Sequence, residues 1–254
     1  MSHLIEPKGV MEYSARDTEG TRVAERKHAM AGLLVRRERW GLSVRGRLIV
    51  GTLIITVVVL AIGYANAFLA VTDPVDTNIL VVEGWLPNYA LEESIAKFRS
   101  KPHRLVITVG CEILTGVNVE PGDNQATYAA KRLQWLGLQP EFIRAAPSSV
   151  KYRDRTYASA LALKQWFQTD DRSVKAFDLV TLGPHARRSR LLFEEAFEGK
   201  VQVGIISIEN KEYDPVHWWR YSEGVKEVIS EGVAYMYARI FFRPNSKSIE
   251  RPAT

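Results

Sequence analysis

A single cysteine, Cys111, in a chain of 254 residues excludes an intramolecular disulfide and any multi-cysteine metal site. There is no G-x-S-x-G elbow, no H-E-x-x-H and no paired C-x-x-C, which removes the commonest hydrolase and zinc signatures. The stretch "PGDNQATYAAKRL" lacks the spacing of a P-loop or of G-x-G-x-x-G, so Asp123 reads as a plain helix N-cap. A basic main domain is also lacking, despite a net charge of +5. Residues 1–47 hold ten Lys/Arg against six Asp/Glu, and the remainder holds 24 against 23. The positive excess belongs to the N-terminal tail, and nucleic acid is not an expected partner.

What is there begins with an apolar run. Leu48 to Val71 is 24 residues without a charge, which as a helix is about 36 Å long at about 1.5 Å per residue. Its few polar residues, Thr52, Thr56, Tyr64 and Asn66, are scattered rather than gathered on one face, as a core helix would require. It starts too far along the chain for a typical signal peptide. The expectation is a transmembrane helix over 48–71, embedded in lipid. Arg36, Arg37, Arg39, Arg45 and Arg47 flank it on one side, and Asp73 and Asp76 on the other. By the positive-inside rule the tail 1–47 is cytoplasmic and the main domain extracytoplasmic, on a single pass.

After this run, apolar stretches alternate with helical patterns. Strands are expected at Asn78–Val82, Leu105–Val109, Glu141–Arg144, Asp178–Leu182 and Val201–Ile208. Helices are expected at Tyr89–Phe98, Gln125–Leu136, Thr156–Phe167, Ala186–Phe197 and Trp218–Phe242. Strands apolar almost throughout are buried on both faces, and each intervening helix is long enough for a parallel crossover. The reading is a doubly wound, Rossmann-like α/β domain over 75–242 with a mainly parallel sheet, followed by a solvated tail at 243–254.

In such a sheet, ligands bind beyond the carboxyl ends of the strands. The residues there are "EGWLP" from Glu83, "GCE" from Gly110, "PSSVKYRDRT" from Pro147 and "GPHARR" from Gly183. The last opens a helix with His185, Arg187, Arg188 and Arg190 in its first turn, where the dipole is already positive. Helical spacing puts His185 and Arg188 on the core-facing stripe with Leu192 and turns Arg187 and Arg190 away. One reading is an anion site with His185 as acid–base group and Arg188 as clamp; the other is that His185 caps its own helix and the arginines pair with Glu194 or Glu195. Asp154 is expected as an N-cap, with Arg155 and Thr156 offering a second guanidinium and a hydroxyl at another helix start. Glu83 and Glu112 each follow an apolar strand, either as a carboxylate pair for acid–base work or a divalent ion, or as partners of Arg155 or Arg188. His217, Trp218 and Trp219 line a pocket, rest on the bilayer or pack on the sheet.

Set out in this order, the segments from Asn78 to Phe242 resemble the SanA/ElyC/YdcF-like family of bacterial envelope proteins. The likeness lies in a first strand followed by Glu83 and Gly84, a second ending at Gly110, a helix start at Thr156, and a strand ending in Thr181 before the H-x-x-R of His185 and Arg188. It departs from the family pattern in having Cys111 after Gly110, Gln125 for a Glu, and Tyr157 and Ala158 after Thr156. The resemblance implies a role in envelope integrity, in peptidoglycan-precursor or lipid-carrier metabolism.

The expectation is therefore a membrane-anchored envelope protein that binds, and hydrolyses or transfers, a phosphorylated small molecule or lipid-linked metabolite of the peptidoglycan-precursor or polyprenyl-phosphate class. His185, Glu83 and Glu112 are the catalytic candidates, and Arg188, Arg155, Thr156, Gly84, Gly110 and Gly183 the anion-binding ones. No cofactor is specified by the sequence. The alternatives are a non-catalytic envelope scaffold docking a membrane partner, and a Rossmann-like pocket for a nucleotide or S-adenosylmethionine.

Overall fold

Five apolar runs form the middle of the domain as parallel strands: β1 (Ile79–Glu83), β2 (Leu105–Gly110), β3 (Ile143–Pro147), β4 (Ala176–Leu182) and β5 (Gln202–Ile208). The computed structural model describes residues 28–29, 34–35, 42–114, 123–170 and 173–244, so most of the tails expected at 1–47 and 243–254, with Arg36, Arg37 and Arg39, lies outside the described residues. The sheet order is β3-β2-β1-β4-β5. Strand order therefore reverses between β1 and β4, the point where an open parallel sheet leaves a crevice at its carboxyl edge.

Helices α2 (Asn88–Ser100), α3 (Gln125–Trp135), α4 (Arg155–Thr169), α5 (His185–Ala196) and α6 (Ser222–Ile240) complete the unit, α1 (Val44–Leu69) being the long apolar helix that precedes it. Alternate strand residues feed two cores, as a period of two demands. Leu80, Val82, Val106 and Val180 pack with Leu91, Ile95 and Leu133 of α2 and α3. Val81, Ile107, Leu179 and Phe177 pack with Leu163, Phe167 and Phe193 of α4 and α5. In the second core Phe177 lies 5.4–6.1 Å from the rings of Phe167, Phe193 and Phe197, each ring contributing about 1.5–3 kcal/mol by its burial.

Several local details differ from the sequence expectation. Pro140 starts a 3-10 turn, Pro140–Phe142, so β3 begins only at Ile143. The expected last helix is divided into a 3-10 turn, Trp218–Arg220, and α6, which starts at Ser222. The cap of α3 is Asn124, not Asp123: its Oδ1 accepts from the Ala126 N–H at 2.8 Å. Asp154 occupies the N-cap position of α4, but its side chain makes no cap bond.

The molecule divides into two compact units, 1–52 and 53–254, so the second half of α1 belongs with the α/β fold. α1 is long and apolar enough to cross a membrane, and none of its most apolar window is buried, unlike a core helix. Its last turns are packed: Leu69 is buried with Tyr213, Trp218 and Val228, and Asn66 accepts a hydrogen bond from Tyr213 Oη at 3.3 Å. The chain leaving α1 runs along the open edge of β5, where Asp73 and Ile205 exchange backbone hydrogen bonds of 2.8 and 3.0 Å. Thr72 Oγ1 also accepts from the Ser207 N–H.

Candidate functional site at the carboxyl edge of the sheet

The parallel register sets Val82 beside Val180, which brings the next residues, Glu83 and Thr181, together at the ends of β1 and β4. The Glu83 carboxylate is buried there and accepts from Thr181 Oγ1, from Ser189 Oγ at 2.9 Å and from Trp85 Nε1 at 3.1 Å. After β4 the chain reverses through Gly183, at a φ of +47° that favours glycine, and Pro184, which is pre-set for the start of a helix. This turn hangs the first residues of α5 over the crevice.

His185, the first residue of α5, faces a carboxylate that the sequence reading did not single out. Its Nδ1 lies 2.9 Å from Oε1 of Glu231 on α6. Arg188, one turn on, grips the same carboxylate with both arms, Nε to Oε2 at 2.7 Å and Nη2 to Oε1 at 3.0 Å. Burial pushes the Glu231 carboxyl up, but hydrogen bonds and charges from His185 and Arg188 outweigh it and bring it down to about 2. An ionised carboxylate only accepts, so the tautomer that bonds Glu231 carries its proton on Nδ1 and offers a lone pair at Nε2, whereas the 3.0 Å contact of Arg188 Nη2 with Nδ1 suits the other tautomer. That Nε2 is buried, has no hydrogen-bond partner among the described residues, and stands 3.7 Å from Glu83 Oε2. The Trp85 ring meets the imidazole edge-on at 5.0 Å.

These groups line a cavity of about 580 Å³. Arg155 and Thr156, at the start of α4, form part of its wall. Arg155 donates only to neutral acceptors, the Lys151 carbonyl at 2.6 Å and Gln125 Oε1 at 3.2 Å, and so brings a positive charge unmatched by any carboxylate among the described residues. With no side-chain cap at Asp154, the N-terminus of α4 adds its dipole to that charge. Asp154 itself has a φ of +51°, a left-handed conformation uncommon outside glycine and found disproportionately at functional sites. Along α6 the wall is made by Glu227, Glu231, Ala234 and Ala238, which recur at the four-three-four spacing of one helix stripe. Burial raises the carboxyl of Glu227 above its ordinary value, although the hydrogen bond from Asn210 Nδ2 opposes the shift.

The remaining expectations divide as follows. Arg188, expected to clamp an anion beside Arg155, is held by Glu231, and its Nη1 lies 3.5 Å from Thr156 Oγ1. The other arginines of the first turn are turned away as expected. Arg187 stacks on the Phe68 ring at 4.0 Å and donates to the Phe68 carbonyl, while Arg190 pairs with Asp73 and Glu194. The helix dipole is thus faced largely by the chain's own acids, and the free positive charge of the site is at Arg155.

Glu112 is not a partner of Glu83. β1 pairs with β2 as Glu83 to Val109, so Glu112 lies beyond the rim, where it meets Lys151 Nζ at 3.2 Å and bridges Asn124. Gly84 and Gly110 both let the start of α3 rest on them, since a Cβ would come within 2.4 Å of the Gln125 carbonyl oxygen on Gly84 or 2.7 Å of Gln125 Cβ on Gly110, and Gly110 also lines the cavity. Gly84 and Gly183 do not line the cavity, nor do His217, Trp218 and Trp219. Among the described residues no three His, Cys, Asp or Glu side chains converge in a way that could hold a metal ion.

Glu227 and Glu231 carried one legible signal, as members of a series of three carboxylates four residues apart, Glu223, Glu227 and Glu231, along one helix face. Comparison of the chain with protein-family models, with curated proteins and with solved structures finds no match.

Proposed function

We propose that this protein is a membrane-anchored enzyme that carries out general acid–base chemistry, hydrolysis or group transfer, on a phosphorylated compound at the extracytoplasmic face of a bacterial cytoplasmic membrane. The observation that carries this reading is His185 Nε2: a buried nitrogen without a hydrogen-bond partner among the described residues, in a ring oriented by Glu231, at the wall of a cavity. An orphaned buried nitrogen is unfavourable in a folded protein unless something outside the chain completes it. A histidine fixed by a carboxylate through its other nitrogen is equipped to take a proton from water or a hydroxyl and return it to a leaving group.

Arg155, Thr156 and the uncapped start of α4 supply the anion contact. Glu83, fixed by three donors 3.7 Å from Nε2, is placed to hold a water or hydroxyl beside the base. The apolar α1 supports the anchor, the arginines on its N-terminal flank support the orientation, and the resemblance to SanA/ElyC/YdcF-like proteins supports an envelope substrate such as a peptidoglycan precursor or a polyprenyl phosphate.

The test is a thermal-shift titration of the full chain in detergent with inorganic phosphate, pyrophosphate and short alkyl phosphates. A ligand of the native state raises Tm by mass action. The wild type is expected to respond, Arg155→Gln to respond weakly, and His185→Ala to bind without turnover. No response in the wild type, or an equal response in Arg155→Gln, overturns the reading.

A further inference from the structure

The geometry points to a second membrane contact besides α1: the turn over 213–221 forms an aromatic collar that seats the α/β unit on the lipid headgroups. This rests on α1 crossing the bilayer and not on the chemistry of the cavity. From Leu48, the first residue after the flanking Arg47, to Asn66, α1 runs for nineteen residues, about 28 Å of helix, close to the hydrocarbon thickness of about 30 Å. Near that end the domain grips the helix at Ile62, whose carbonyl accepts from Trp218 Nε1 at 3.1 Å.

One turn further on, Asn66 is buried and takes the Tyr213 hydroxyl. A polar side chain in an apolar span belongs where protein or water meets it, which marks this level as the end of the lipid core. At that level the collar presents large side chains outward: Val216, Trp219 and Tyr221 are exposed, and Tyr64 of α1 is exposed nearby. Trp and Tyr are the residues enriched at the membrane–water boundary, where an apolar ring carries a polar edge. Arg220, between the two aromatics, is exposed and has no acidic partner among the described residues, which suits it to a lipid phosphate.

The other strongly apolar exposed surface, on the later turns of α6 (Val233, Met236 and Ile240), lies past the level of Leu69, because Leu69 meets Gly232 and Phe68 meets Tyr235. The bilayer contact is therefore assigned to the collar and not to that face.

Depth measurement on the full chain in phosphatidylcholine–phosphatidylglycerol vesicles tests this. Cys111 is buried, so a nitroxide is placed on introduced thiols at Trp219→Cys, Tyr221→Cys, Ile55→Cys in α1 and Trp135→Cys on α3. The labels at 219 and 221 are expected to be about tenfold less accessible to a water-soluble nickel relaxant than the label at 135, and readily relaxed by oxygen, as lipid-facing labels are. Labels at 219 and 221 as open to nickel as the one at 135 overturn the collar. Shielding from both nickel and oxygen also overturns it, since a protein surface then covers the site. A water-accessible label at 55 overturns the collar together with the anchor, leaving the cavity's chemistry untouched.

Discussion

Two histidines with orphaned nitrogens lie at opposite edges of the sheet, and only one is part of a site. His103, before β2, is fully buried at the amino edge with neither ring nitrogen hydrogen-bonded; it stacks on Phe98 and stands 3.8 Å from Asp178 Oδ2. His185, at the carboxyl edge, has one nitrogen 2.9 Å from Glu231 and the other buried in the wall of the cavity. His103 does not line the cavity at the amino edge, and its neighbour Asp178 is taken up by the chain, accepting from the Val75 N–H at 2.7 Å and from Lys101 Nζ at 3.2 Å. Burial pushes that carboxyl up, but His103, Val75 and Lys101 together hold it below its ordinary value. An unsatisfied nitrogen is thus a functional signal only where something from outside can reach it, and the amino-edge cluster reads as a structural pin.

The largest effect expected is at His185. Removing a general base costs about 10²–10⁴-fold in turnover, so His185→Ala should lose activity on that scale while staying folded, with a smaller loss of stability than Asp178→Asn because Arg188 still holds Glu231. An inactive variant that is also unfolded would erase the contrast between the edges. Asp178→Asn should do the reverse, losing about 3 kcal/mol of stability by weakening the charged hydrogen bonds that its buried carboxylate accepts from Val75 and Lys101, with ligand binding retained in the fraction that folds; chemical denaturation in detergent measures it.

Glu231→Gln comes next. Its folded carboxyl lies at about 2 against an ordinary 4.5, so its charge contributes stability above the ordinary value and loses it as pH falls toward the folded value. That contribution is on the order of 3 kcal/mol at neutral pH. The gap in stability between wild type and Glu231→Gln should therefore be full at pH 7 and close between about pH 5 and pH 2; a gap independent of pH would show that shape, and not charge, holds the pair. Gly84→Ala should cost about 1–3 kcal/mol, since its Cβ would meet the Gln125 carbonyl oxygen at 2.4 Å. Smallest is Arg155→Gln, which should weaken phosphate binding about tenfold, the scale of one charged hydrogen bond, without shifting the midpoint.

The layers of the fold were legible because the evidence for them is local. Continuous apolar runs such as Leu105–Gly110 require burial on both faces, and the helices between them require crossovers. The rim was legible as well, since His185 and Arg155 each follow a strand and open a helix. What was not legible is which charges meet. The dipole argument at α5 asked for an anion, and the chain supplies one 43 residues after Arg188, on a helix whose packing across the crevice no spacing rule specifies. Glu112 failed for a related reason: standing just past a strand places a residue near the rim, but Gly110 and Cys111 carry the chain away toward Asn124 before Glu112 is reached. The collar at Trp218 was readable only as a set of alternatives until its bond to Ile62 fixed its level along α1.

The pairing of Asp73 with Ile205 has a consequence for how copies of the protein coexist. Molecules held on one lipid surface share an up–down direction and collide side by side far more often than molecules tumbling freely. A bare outer strand at β5 would be a template for its neighbour at each such encounter. By folding the residues that leave α1 back over that strand, the chain occupies its bonding positions at Ile205 and Ser207 with Asp73 and Thr72, which under the proposed anchoring would deny a crowded neighbour a continuous ladder to join.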